Sequence, residues 1–438
     1  MTPFERSLRA DFALRRERSA GDSNSALRQA AFARFLEVGL PTAADESWKY
    51  TSLGALAQVP FEAPGAVGAG EERLVQAWAA PDSLQLVFVD GRHRPELSSP
   101  PSSSGGIFLG SLRAALAERP ELVGRELGRH ADFRRDALTA LNTAFIEDGA
   151  FIHLPDGAAV EAPIHLLFIS SAEGRATLSH PRNLIVAGAS SRATVIETYA
   201  GPPDAVYLTN AVTEIVLGHG AQMEHCKLQR ESERAFHIAL LQVTQGRDSR
   251  FTSHSLALGG GLARNEVRTV FASQGGECAL NGLYMASGKQ HLDNRTLIDH
   301  KSPRCTSREL YKGVLDGESH VVFGGRVLVR EDAQKTDARQ INRNLLLSEG
   351  AVIDTKPQLE IFADDVKCAH GAAVGELDED ALFYLRSRGL ELKAARSLLT
   401  WAFAAEMVDL IPLRPLRSRV RELVTSRLPD GEGLREVA

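Results

Sequence analysis

The chain has 438 residues, 43% of them hydrophobic, enough to bury a large core, and its length fits two or three domains. A formal net charge of −6 argues against a nucleic-acid protein held by a basic surface, and no apolar run approaches the roughly 20 residues that span a bilayer. Met1–Arg6 lacks the basic and apolar start of a secretory signal, and the four cysteines are too scattered for a disulfide framework, so a reducing cytoplasm is the expected location.

Residues from Pro3 to about Val38 read as helical. Phe4, Leu8 and Phe12 recur every fourth position, Phe32, Phe35 and Leu36 share a face, and Ser23–Ser25 offers a cap between two pieces. Leu84–Asp90, followed by Gly91, reads as a strand ending in a turn; Ser98–Gly106, rich in Ser, Pro and Gly, reads as a loop. From Ser111 to about Thr143 the pattern is helical again, with Leu112, Leu116 and Ala117 on one side.

From Phe145 to about Val374 the texture changes to short strands punctuated by glycine, as in Arg182–Gly188, Ala211–Gly218, Ile238–Gly246 and Arg268–Gly275. Those glycines recur at roughly thirty residues, in the range of repeat architectures. The pattern predicts a mainly β chain: a β-solenoid whose coils cover one another's edges, with helical ends acting as caps. An antiparallel sandwich would give similar strands. The expected division is a mostly helical domain over 1–144, the solenoid over 145–375 and a helical domain over 376–438.

Lys356–Gly371 reads as one strand, so Asp364, Val366, Cys368 and His370 would point the same way. Cys368 and His370 would then stand roughly 6.6 Å apart at Cα. Thiolate and imidazole suit iron or zinc, which makes this pair the candidate metal site; in isolation, a Cys-x-His pair is more often a buried cysteine beside a surface histidine. Beyond it, Asp378 caps a helix over Ala381–Arg388 that stops at Gly389. Ala394 to about Leu410 presents Leu398, Leu399, Ala402, Phe403 and Met407 on a broad apolar face, and a basic amphipathic helix over Leu416–Leu428 follows Pro412 and Pro415.

Other constellations carry less. Cys305, between Arg304 and Arg308 and near His291, His300 and Lys301, could have an acidified thiol, though an ordinary half-buried cysteine fits better. His219, His225, Cys226, His237 and His254 fall in neighbouring coils that could stack some of them. Asp364 and Asp365 are adjacent on a strand and would face opposite sides, unlike the carboxylates that flank a glycosidic bond. The chain has no G-x-x-x-x-G-K-[ST], no G-x-S-x-G and no Cys-x-x-Cys, so neither ATP hydrolysis nor a self-contained cluster or zinc site is expected of it alone.

Six words occur in order: Gly39–Thr42, Glu46–Thr51, Arg339–Ser348, Lys356–Glu360, Asp364–Gly371 and Leu382–Gly389. Together, from about residue 39 to about 410, they closely resemble the SufD family of scaffold subunits, which assemble iron–sulfur clusters in the SufBCD complex. The resemblance implies a right-handed parallel β-helix between helical ends and no enzymatic activity. It also implies heterodimerisation with SufB through the β-helix ends and recruitment of the ATPase SufC by the C-terminal helices. The exposed parts of Leu398, Leu399, Phe403 and Met407 would anchor the ATPase contact. A transient cluster, shared with SufB at the interface and not held by this chain alone, would involve His370 and Cys368, which match the family's histidine and neighbouring cysteine. The rivals are the SufB paralogue, a β-helical carbohydrate enzyme and a purely structural interaction protein. Ile341–Asn344 lacks the cysteine that SufB carries nearby, and SufB has an apolar residue where Cys368 stands. A homodimer of the isolated chain stays open.

Overall fold

Glycines about thirty residues apart become the corners of a flattened coil. The structure, a computed structural model, describes residues 1–18, 24–63, 71–80, 82–100, 104–171 and 174–430; the expected cap at Ser23–Ser25 and loop at Ser98–Gly106 fall partly outside them. Two ten-stranded sheets face each other and the chain alternates between them as a parallel β-solenoid. In the first sheet Arg192 stands beside Gln222, Gln222 beside Arg250 and Arg250 beside Glu277, so each coil takes roughly thirty residues. At the corners successive backbones come too close for a side chain. A Cβ on Gly218 would lie 2.9 Å from Ala189 N, and one on Gly246 would lie 2.6 Å from Leu217 O.

Alternate residues of both sheets fill the interior. In-register neighbours stack there: Phe88, Phe168 and Tyr199 form a ladder with ring centroids 4.9 and 4.8 Å apart. The sheets begin before residue 145. Leu84–Val89 runs parallel to Ile164–Ile169, and Phe108–Ser111 pairs antiparallel with Ala150–Leu154, so the segment expected as a helical domain also contributes the outermost strands at the first end of the solenoid.

The helices over Pro3–Arg18 and Ser25–Val38 bury Phe4, Leu8, Phe32 and Phe35 against the outer face of the second sheet, at Leu208, Ile238 and Leu262. The helical segment expected from Ser111 to Thr143 is instead three short helices, Leu112–Glu118, Pro120–Glu126 and Ala137–Ala144. Pro120 cannot continue the first of them and opens the second; Ser111 and Asp136 cap the first and third. The loop before the third is held by Glu214, which accepts from the N–H groups of Gly128, His130 and Ala131. Arg182 answers that carboxylate at 2.6 Å, with both side chains fully buried.

At the other end come helices over Glu379–Ser387, Leu392–Asp409 and Arg414–Thr425, the first capped by Asp378 as the sequence suggests. They do not cap the solenoid. Trp401, Ala404, Met407, Val408, Val420 and Val424 instead bury the outer face of the first sheet at Ile196, Leu228, Leu256 and Val314. Lys312 fastens them by donating to Phe403 O at 3.0 Å and pairing with Glu406. Among the described residues no helix is long and apolar enough to cross a membrane.

Candidate functional site

The last coil differs from the reading of Lys356–Gly371 as one strand. Val352–Ile361 belongs to the second sheet and Lys367–Gly375 to the first, with a bend between them that holds Asp364, Asp365 and Val366. Asp364 and Val366 therefore do not share a strand face with Cys368 and His370. The exposed Asp365 pairs with Lys335 on the preceding coil. Each final strand has one hydrogen-bonded neighbour in its own sheet, His320–Val329 for the one and Asp337–Leu346 for the other. Their other edges are unpaired among the described residues.

Cys368 and His370 do share a face, two residues apart on the last strand. Their register partners are Ala338 and Gln340, both buried, so the pair lies on the interior-facing column where the lumen opens to solvent. Cys368 is half-buried against the interior core, while the His370 side chain is exposed and makes no hydrogen bond among the described residues. Burial pushes the Cys368 thiol up, against a smaller opposing pull from the Ala338 backbone, so it stays protonated at neutral pH. A shallow recess of about 270 Å³ adjoins His370, lined also by Arg339, Gln340, Asn342 and Arg343. Arg339 and Arg343 are exposed there and make no ion pair among the described residues, although the Arg343 charge reaches Glu406, so the recess carries positive charge.

Two donors are half of the four that usually hold a cluster. Among the described residues no group of three or more His, Cys, Asp or Glu is gathered for a metal. The other cysteines are buried elsewhere: Cys278 and Cys305 in the solenoid interior, Cys226 under the C-terminal helices. Burial raises all three thiols, and Cys305 donates to the carbonyls of Ser273 and Pro303 at 3.5 Å, so its neighbouring cations do not acidify it.

The histidine stack forms only in part. Cys226 and His254 are register partners, but His225 points to the opposite face and hydrogen-bonds Ser253 at 3.0 Å. His254 meets Glu224 at 2.7 Å, and His237, in the other sheet, meets Glu231 at 2.8 Å and Lys227 at 2.8 Å. Each ring is taken up by its own partner. Burial opposes charge on Glu197, yet bonds from His225 and Tyr199 and the charge of Lys227 outweigh it and hold that carboxyl at about 2.

The structure also joins two distant sequence words. Glu46 pairs with Lys356 on the last coil, Trp48 lies under the Arg264 guanidinium at 3.9 Å, and Thr51 donates to Asp293 at 2.7 Å. Glu46–Thr51 is thus a strap along the second sheet that reaches the open end. Sequence reasoning missed the interior polar column beside His370. Gln340, Asn342 and Asn344 are buried while Arg339 and Arg343 face out, so both faces of that strand are polar and a hydropathy pattern cannot pick the inner one. The alternation of amide and arginine was the available signal.

The chain matches two family descriptions, "SUF system FeS cluster assembly, SufBD core domain" over residues 168–403 and "SufBD protein N-terminal region" over 14–166. An iron–sulfur cluster assembly SufBD family protein of Synechocystis sp. is 36% identical over 410 residues, covering 91% of this chain and 90% of that one. The iron–sulfur cluster assembly protein SufD of Escherichia coli is 33% identical, covering 94% and 95%. The chloroplastic protein ABCI7 of Arabidopsis thaliana is 29% identical, covering 92% and 86%.

Proposed function

This chain belongs to the SufBD family of iron–sulfur cluster assembly proteins and is SufD-like, and from that premise we propose that it is a scaffold subunit that pairs with SufB and recruits the ATPase SufC. The observation that carries the proposal is the asymmetry of the solenoid's ends: at one the outermost strands are only the short Arg92–His93 and Phe108–Ser111, while at the other strands of ten and nine residues have edges unpaired among the described residues, beside Cys368 and His370. Exposed edges of this length invite association, and a SufB solenoid end would continue both sheets.

The cluster is cargo at that junction. His370 would supply a neutral, exchangeable nitrogen donor and Cys368 a thiolate once its proton leaves, with SufB providing the remaining ligands. Arg339 and Arg343 would draw anionic sulfur toward the recess. Of the anchors the sequence suggested for SufC, Met407 is buried, while Leu398, Leu399 and Phe403 are only partly buried and keep exposed surface; Phe383 and Tyr384 on the preceding helix, 75% and 56% exposed, would extend that docking face.

Co-expression with SufB and SufC, followed by purification through a tag on this chain, tests the reading. The expected result is a three-component complex that gains iron and sulfide. A chain that purifies without SufB, and acquires no iron in its presence, would overturn it.

A further inference from the structure

Glu309, Gln340 and His370 occupy one register column on three successive strands of the first sheet. Parallel neighbours are about 4.8 Å apart, so adjacent side chains on one face are within hydrogen-bonding reach. Glu309 and Gln340 are buried inside the solenoid. The Glu309 carboxyl accepts from Thr296 Oγ1 at 2.6 Å and from Gln340 Nε2 at 2.8 Å. Opposite them the second sheet has Gly325, where a Cβ would lie 2.2 Å from Gln340 Nε2; a bare glycine makes the room for this amide.

Gln340 is 0% exposed, and with its nitrogen spent on Glu309 its carbonyl oxygen Oε1 has no partner among the described residues. A buried acceptor left unmade costs about 1–3 kcal/mol, and native proteins seldom keep one without a use. The next residue in the column is His370, whose ring also has no partner among the described residues. A histidine that binds metal through one ring nitrogen characteristically sends its other N–H to an acceptor, which fixes the ring.

We propose that Gln340 is the positioning residue for His370, its Oε1 accepting the ring N–H when the other ring nitrogen binds iron, while Glu309 holds the amide in that orientation. The inference rests on His370 being a cluster ligand. An amide takes this hydrogen bond without adding charge, so the imidazole stays a neutral donor from which a cluster can be released.

The test uses the complex of this chain with SufB and SufC, reconstituted with ferrous iron and sulfide. Iron loss to a chelator is followed together with the nitrogen hyperfine coupling of the ligating imidazole. Gln340→Leu should load a cluster but release iron 10- to 100-fold faster, the usual effect of removing a partner behind a metal-bound histidine, with an altered coupling. If stranding Glu309 prevents folding, the Glu309→Leu/Gln340→Leu pair replaces the whole hydrogen-bonded unit with apolar side chains and should show the same faster release. Wild-type release and coupling in whichever variant folds would overturn the proposal. His370→Ala separates the two levels: undiminished loading there would remove the ligand reading itself, whereas lost loading with wild-type behaviour at position 340 would remove the positioning role alone.

Discussion

Replacing Glu309 by Gln should change how stability depends on pH. Burial pushes the Glu309 carboxyl from its ordinary 4.5 up to about 7, and the hydrogen bonds from Thr296 and Gln340 only partly oppose this, because no cation faces it. The folded state therefore holds a proton that the unfolded state has released between those two values. Its contribution to stability is complete below about pH 4.5 and is lost as pH rises through about 7. At 1.36 kcal/mol per unit, that separation amounts to about 3 kcal/mol. Glutamine carries no charge and removes the dependence. Denaturant unfolding of both chains from pH 5 to 8.5, compared at each pH so that other titrating groups cancel, should show Glu309→Gln gaining relative to the parent by about 2.5 kcal/mol across that window. A difference that stays constant across the range would refute the reasoning.

Arg182→Ala strands the fully buried Glu214 and should cost about 3–5 kcal/mol in denaturant unfolding, with the 127–131 loop losing hydrogen-exchange protection first. Phe383→Ala with Tyr384→Ala should leave thermal unfolding within about 0.5 kcal/mol of the parent yet abolish co-purification of SufC, since both side chains are exposed. Met407→Ala, at a position packed between helix and sheet, should instead lose about 2–5 kcal/mol in an unfolding titration.

What the sequence made legible was periodic. Glycines at thirty-residue intervals mark corners where Gly246 meets the Leu217 carbonyl, a constraint that only glycine satisfies, so the coil length could be counted without coordinates. Cys368 and His370 could be placed on one face because alternation needs only a local strand. The bend at 362–366 was not legible, since Phe362 and Val366 continue an apolar pattern that gives no sign of the chain passing from one sheet to the other. The burial of Met407 was hidden for a related reason: a wide apolar helix face shows that something covers it, but not whether that is the chain's own sheet or a partner. The strap from Glu46 to Lys356 depends on contacts across about three hundred residues, which no local pattern carries. The column Glu309–Gln340–His370 exists only through register, and its polar inner residues look like surface residues when read in one strand at a time.

The central claim is that the open end of the solenoid, through His370, supplies part of a cluster site completed by SufB. The most direct measurement is the iron and acid-labile sulfide content of the anaerobically reconstituted three-subunit complex carrying wild type, His370→Ala or His370→Asn. The account predicts that all three assemble with the same stoichiometry, and that both variants fail to accumulate a cluster, because asparagine can hydrogen-bond but does not replace an imidazole donor. Full cluster content in the His370→Asn complex would contradict it and leave His370 as a structural residue at a pairing surface.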